Sequence, residues 1–174
     1  MAINDALMLS ILAMDVYNQG PNRQIQGDWT TIGSASLSSA SSSGDESTIG
    51  FFAQSYSWSG QSVISYRGTD DFETDGRYGY GIAAGLADGS FSEQGRLALE
   101  FYRSVMTTAD PRDANILLTG HSLGGGLAGY VASLYLQEGV VFDNMPFQLA
   151  ATNAYELSRT HQVGGVRGTR NLFA

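Results

Sequence analysis

A short segment near residue 120 constrains the fold more than any other part of the chain. Residues 116–118 are apolar and predict a buried strand, and a helical pattern begins immediately after Ser122. Gly120 and Gly124 flank Ser122 at a spacing of two residues on either side. A turn this sharp strains its central residue, and side chains two positions away would crowd it, so glycine is required there.

Strand, sharp turn and helix together form the context in which the pattern G-x-S-x-G is a nucleophile elbow. Ser122 would then be exposed at the carboxyl end of its strand, beside the positive end of a helix dipole. The alternative is a structural turn without chemistry, because a chain with 22 glycines has many glycine-rich turns. The agreement of the strand before and the helix after favours the nucleophile.

Two segments resemble a known family. Residues 63–69, Val-Ile-Ser-Tyr-Arg-Gly-Thr, resemble the oxyanion strand of class 3 (fungal-type) lipases, and residues 119–128 resemble their nucleophile segment. The resemblance spans residues 49–145. It implies an α/β fold of the α/β-hydrolase type, with a mostly parallel sheet flanked by helices. At 174 residues we expect one domain, as a small or incomplete version of that fold.

The same resemblance implies an oxyanion hole. The residue at the position of Thr69 donates its backbone N–H, and often its hydroxyl, to the oxyanion in that family. The second donor is the backbone N–H that follows the nucleophile, here Leu123. The other interpretation of Thr69 is an ordinary turn residue.

The remaining catalytic residues are harder to find. A serine nucleophile needs a histidine base and an acid, which follow it in the order Ser, Asp or Glu, His. His121 is adjacent to Ser122 and must point away from it, which leaves His161, in a basic glycine-rich stretch. Asp143 ends a predicted strand 21 residues after Ser122 and is the first candidate acid; Glu156 is the second.

This half of the chain departs from the resembled family, because class 3 lipases carry the acid one strand later. Three explanations remain open. The chain is a fragment or frameshifted product of a longer lipase, or a minimal hydrolase that uses Asp143 and His161. Alternatively, copies of the chain associate and cover the open sheet edge.

Other elements follow from periodicity, caps and turn residues. We predict helices at 5–18 (capped by Asn4), from a capping box at 90–93 to 107, at 123–137 and at 146–158, strands at 48–56, 61–67, 115–119 and 140–142, a loop at 41–45 and a loosely packed tail at 159–174.

Composition excludes several classes of protein. The formal net charge is −8, which argues against nucleic acid as a partner. The chain has no cysteine, no Sec-type signal and no stretch long enough to span a bilayer, so the cytoplasm and leaderless export both remain open. Acidic residues at 70–75 favour a solvated loop or lid over a calcium site.

The sequence therefore predicts a serine hydrolase of carboxylic esters, with a lipid or other water-insoluble acyl ester as substrate and no cofactor. A phospholipase, a small-ester esterase or an acyltransferase would use the same residues. A non-catalytic lipid-binding fragment is the alternative outside enzymes, because no histidine is convincingly placed.

Overall fold

The computed structural model describes residues 4–18, 30–41, 43–69, 80–84, 93–108, 110 and 114–163; the side chains of residues 43, 45, 46 and 157–163 are not described. The elements in chain order are α1 (Asp5–Asp15), a 3-10 turn (Val16–Asn18), β1 (Thr31–Ile32), β2 (Ala35–Ala40), α2 (Ser43–Ile49), β3 (Ala53–Trp58), β4 (Gln61–Tyr66), α3 (Glu93–Val105), β5 (Ile116–His121), α4 (Leu123–Tyr135), β6 (Gly139–Phe142) and α5 (Gln148–Val163).

The six strands form one sheet, and their order across the sheet is their order along the chain. The sheet is mixed: β1 to β4 pair antiparallel, whereas β4, β5 and β6 pair parallel. The expectation of a mostly parallel sheet is therefore corrected. The two-residue β1–β2 and β3–β4 connections are too short for a crossover, and the β2–β3 connection returns antiparallel although it carries α2; α3 and α4 lie in the connections between the parallel strands.

The hairpin between β3 and β4 shows how the antiparallel part is formed. Its two turn residues, Ser59 and Gly60, have φ values of 55° and 81°. Positive φ at both central positions is the requirement of a type I′ turn, whose twist matches that of the flanking strands. The predicted hairpin is confirmed.

Helix α2 replaces the loop predicted at 41–45 and part of the strand predicted from residue 48. In the sequence, Ser43 is followed by Asp45 and Glu46, and this pattern is typical of a helix start because acidic residues are stabilised in the first turn. The helix ends at Ile49, and the next residue, Gly50, has a φ of 76°, the left-handed conformation that glycine adopts readily. The serine-rich composition obscured this signal.

The sheet has a separate core on each face. On one face α1 covers the sheet through Met8, Leu9 and Leu12, and the Asn4 side chain caps it, as predicted, by accepting from the Leu7 N–H at 2.8 Å. On the other face α3, α4 and α5 contribute to a larger core that includes Ile64 and Leu118.

The C-terminal helix is longer than expected. Helix α5 continues to Val163, five residues past the predicted end at 158, and residues 164–174 lie outside the described part. The loose tail at 159–174, the single domain over 1–174 and the association of copies that covers an open sheet edge stay predictions. None of the helices in the described ranges combines the length and apolarity needed to cross a bilayer.

Buried tyrosines lead to a prediction about alkaline pH. Burial raises the pKa of four phenols above the usual value of about 10: Tyr56, Tyr66, Tyr102 and Tyr135. The folded state therefore holds these protons more tightly than the unfolded chain, so their contribution to stability is complete below pH ~10 and is lost as the pH rises further.

We expect the free energy of unfolding to fall above pH ~10, by up to about 1.4 kcal/mol per pH unit for each phenol. Lysine, which titrates in the same range, does not occur in the chain. Urea unfolding between pH 8 and pH 11 measures the profile, and Tyr66→Phe should make the decline shallower. A profile that stays flat to pH 11 would contradict the prediction.

Candidate active site

The carboxyl ends of three parallel strands meet at one edge of the sheet. Tyr66 on β4 pairs with Gly120 on β5, and His121 on β5 pairs with Phe142 on β6. Thr69, Ser122 and Asp143 follow these paired residues directly or within three positions, so all three lie at this edge. Open parallel sheets bind their ligands at the carboxyl ends of the strands.

Ser122 has an unusual backbone conformation, with φ 55° and ψ −123°. A non-glycine residue at such angles is strained, and strain of this kind occurs where the surrounding structure enforces it. Ser122 precedes α4 directly, but its side chain makes no capping hydrogen bond. A serine at this position usually caps the helix. The Ser122 hydroxyl, on a half-buried residue, is therefore not used by the helix.

Three hydrogen bonds hold the backbone of Ser122. Its N–H donates to the Phe142 carbonyl at 3.1 Å, and its own carbonyl accepts from the N–H groups of Gly126 at 3.1 Å and Met145 at 3.0 Å. Helix α4 and the segment after β6 thus both attach to this one residue. These bonds enforce the strained conformation.

The two flanking glycines are required for different reasons. A Cβ on Gly120 would lie 2.5 Å from the backbone of Gly124, within the turn itself, as expected from the sequence. A Cβ on Gly124 would lie 2.0 Å from the carbonyl oxygen of Tyr66, on the neighbouring strand. Gly124 therefore allows α4 to approach the end of β4, a contact that the motif alone does not reveal.

Thr69 and Leu123 are the expected oxyanion donors. Thr69 is half-buried, and its Oγ1 lies 3.4 Å from the Tyr80 hydroxyl. The Leu123 side chain is fully buried, so only its backbone can serve a substrate. Its N–H lies in the first turn of α4, where N–H groups have no partner within the helix.

Arg67 fixes the end of β4 just before Thr69. It is 3% exposed, its Nη2 donates to the Gly50 carbonyl at 3.3 Å, and its guanidinium lies 5.0 Å from the centre of the Phe52 ring. These contacts attach the strand end to the segment between α2 and β3. Sequence reasoning did not single out this residue.

Asp143 lies in a short connection next to Ser122. It is exposed, has φ 44°, and follows Phe142, which accepts from Ser122; Met145, two residues later, donates to Ser122. The backbone on both sides of Asp143 is thus bonded to the candidate nucleophile. Within the described chain, no hydrogen bond or ion pair of its carboxylate is found.

The two histidines have different positions. The Nδ1 atom of His121 lies 3.2 Å from the Tyr17 hydroxyl, on the α1 face of the sheet. His161 belongs to the last turns of α5, and its side chain is not among those described, so the structure does not test it as the base. Sequence reasoning missed Tyr17, because it lies 104 residues from its partner.

No group of three or more histidine and acidic side chains suited to a metal ion occurs in the described ranges. The acidic residues at 70–75, considered above as a lid or calcium site, lie outside those ranges.

Replacing Gly124 with alanine tests the contact between α4 and β4. We expect Gly124→Ala to lower the free energy of unfolding by at least about 2 kcal/mol, because the added Cβ would clash with the backbone of Tyr66 and of Arg67. Gly60→Ala is the control: nothing lies within 4 Å of its Cβ position, so only its φ of 81° matters, at about 1 kcal/mol. Chemical denaturation measures both, and equal losses would contradict the steric argument.

A family model described as "Phospholipase-like: Tle-like phospholipase domain" matches residues 8–146. The chain is also 42% identical over 59 residues to the "Putative lipase ATG15" of Debaryomyces hansenii, a segment that covers 34% of this chain and 9% of that protein. No solved structure is significantly similar.

The family match contains the sheet edge described above, including Thr69, Ser122, Leu123 and Asp143, and ends before His161. It covers most of the chain and all six strands. The chain therefore belongs to the family of Tle-like phospholipase domains.

Proposed function

We propose that this protein hydrolyses carboxylic esters of lipids, with Ser122 as the nucleophile on a fold of the α/β-hydrolase type. The observation that carries the proposal is the strained backbone of Ser122 at a glycine-flanked turn between β5 and α4. Strain of this kind is the mark of a nucleophile elbow, and here three backbone hydrogen bonds enforce it. Membership of a phospholipase-like family supports a lipid substrate.

In the proposed reaction His161 removes the proton from the Ser122 hydroxyl as its oxygen attacks the ester carbonyl carbon. The tetrahedral intermediate collapses, the protonated alcohol leaves, and an acyl-serine forms. Water, activated by the same base, then releases the fatty acid and restores Ser122. Asp143 holds the imidazole in the required tautomer and stabilises its charged form. The order of these residues along the chain is the order found in α/β-hydrolases.

The N–H groups of Thr69 and Leu123 stabilise the negative oxygen of the intermediate. Donors fixed by a strand end and a helix start need no reorganisation as charge develops, which makes them effective. The N-terminus of α4 adds the positive end of its dipole. The contact of Gly124 with β4 brings these two donors to the same edge.

The family description favours the acyl ester of a phospholipid over a neutral lipid. Esterase and acyltransferase activity on the same residues remain the alternatives. Vesicles of phosphatidylcholine, emulsified triacylglycerol and dissolved short-chain esters distinguish these substrates. Release of fatty acid, rather than of head group, identifies the carboxylic ester as the bond that is cleaved.

Ser122→Ala should abolish covalent labelling of the chain by a fluorophosphonate and lower the release of fatty acid from phosphatidylcholine vesicles at least about 10³-fold. Intact-mass spectrometry measures the label as one adduct per chain. Ser57→Ala, at an exposed position on β3, is the matched control and should label like the parent. Label that persists in Ser122→Ala would contradict the assignment, and an unlabelled parent chain would leave a lipid-binding module.

Asp143→Asn and His161→Ala test the rest of the triad. Asparagine keeps the shape of Asp143 but cannot hold the correct imidazole tautomer, so we expect a fall in kcat of about 10²- to 10⁴-fold. His161→Ala should lower kcat at least about 10³-fold, since the base is lost. Glu156→Gln is the control and should stay within about threefold of the parent. An effect of Glu156→Gln larger than that of Asp143→Asn would exchange their roles.

A further inference from the structure

The hydroxyl of Tyr17 reaches the ends of two strands from a distant part of the chain. Tyr17 belongs to the 3-10 turn that follows α1. Its oxygen lies 3.2 Å from Nδ1 of His121 and 3.4 Å from the carbonyl oxygen of the same residue. The two rings meet edge to face, with 6.1 Å between their centres.

The same oxygen lies against Gly68, two residues after the end of β4. A Cβ built on Gly68 would be 2.1 Å from the Tyr17 hydroxyl oxygen and 2.5 Å from the His121 carbonyl oxygen. Only a glycine fits at this position. The Tyr17 oxygen is therefore packed between the residue before Thr69 and the residue before Ser122.

This position matters because the hydrogen-bonded ladder between β4 and β5 ends earlier. Its last pair is Tyr66 with Gly120. Gly68, Thr69 and Ser122 come after that pair, so the ladder does not set the separation between the proposed oxyanion donor and the proposed nucleophile. Tyr17 makes contact with both chain segments in the part where ladder bonds are absent.

We propose that Tyr17 is a positioning residue for the hydrolytic reaction, which sets the separation between Thr69 and Ser122 through its contacts with Gly68 and His121. The inference rests on the proposed function of Ser122 and adds a residue to it. Tyr17 does not touch the reacting atoms. Its effect is on geometry that must be held to about 0.5 Å for full activity.

The hydroxyl is the group that performs this role. Its one hydrogen can be donated to Nδ1 or to the carbonyl of His121, and in the tautomer that carries a hydrogen on Nδ1 this N–H donates to the phenol oxygen. Either arrangement keeps the oxygen in place. Phenylalanine would retain the edge-to-face ring contact and lose every contact of the oxygen.

Tyr17→Phe is the test, with Tyr56→Phe as the matched control. Tyr56 is a buried tyrosine whose hydroxyl oxygen lies 2.8 Å from a carboxylate oxygen of Asp15 and 2.7 Å from the side-chain oxygen of Gln54, either of which can accept its one hydrogen, on the α1 face of the sheet but away from Gly68 and His121. Tyr56→Phe therefore removes a tyrosine hydroxyl, fully buried where that of Tyr17 is half-buried, without removing a contact of Gly68 or His121. Each variant is compared with the parent for kcat and KM on a dissolved short-chain ester, for fluorophosphonate labelling rate and for thermal unfolding.

We expect Tyr17→Phe to lower kcat and the labelling rate about tenfold, the equivalent of one hydrogen bond, with KM within about twofold. Tyr56→Phe should lower the unfolding temperature at least as much as Tyr17→Phe does, and it should leave kcat unchanged. Nitrogen-15 NMR of His121 gives a reading independent of activity: its Nδ1 signal should shift in Tyr17→Phe and not in Tyr56→Phe.

An unchanged kcat in Tyr17→Phe, with the parent active, overturns this inference and leaves the proposed function intact. Equal losses of kcat in both tyrosine variants overturn it too, since general loss of stability then explains them. A parent chain that neither labels nor hydrolyses any ester overturns the proposed function and the role of Tyr17 with it.

Discussion

Backbone contact between helix α4 and strand β4 is the constraint on which the candidate site depends. Glycine at 124 lets the helix start lie against the Tyr66 carbonyl, where any side chain would be only 2.0 Å from that oxygen. Gly120 allows the tight turn between β5 and α4, because a Cβ there would clash with the backbone of Gly124. The first N–H groups of α4 thereby come to the end of β4, which Thr69 follows by three residues. Two glycines therefore determine whether Ser122 and the proposed oxyanion donors lie at the same end of the sheet.

Polar contacts specify how α1 lies on the other face. The helix is apolar on nearly all sides: Leu9 and Leu12 are buried, whereas Leu7 and Met14 are about half exposed. Hydrophobic burial alone would tolerate several rotations of such a helix. The buried hydroxyl of Ser65 donates to the carbonyl of Leu12 at 3.0 Å, and the Thr119 hydroxyl lies 3.3 Å from the carbonyl of Leu9. The Ser65 bond favours one placement, because other rotations of α1 would remove the acceptor of this buried hydroxyl.

The sequence predicted well where the signal is local. The Asn4 cap, the β3–β4 hairpin and the strand–turn–helix around Ser122 each depend on residues a few positions apart, and each is found. The α2 segment was misjudged, because a serine-rich stretch is typical of a loop even where it starts a helix. The expectation of a mostly parallel sheet, which was wrong, was drawn from the family resemblance and not from the connection lengths. The contact of Tyr17 with His121 could not be predicted, since no local pattern relates two residues that are 104 positions apart.

The order of strands has a consequence for how the chain folds. Because each strand pairs with its neighbour in sequence, the sheet can extend step by step as the chain is synthesised. Helix α1 is the exception: it precedes every strand of the sheet, yet the Leu9 carbonyl lies 3.3 Å from the Thr119 hydroxyl, 110 residues later. Contacts this distant in sequence close slowly. We therefore expect α1 to dock late, so that the sheet edge beneath Ser122 is completed only after nearly the whole described chain has been made.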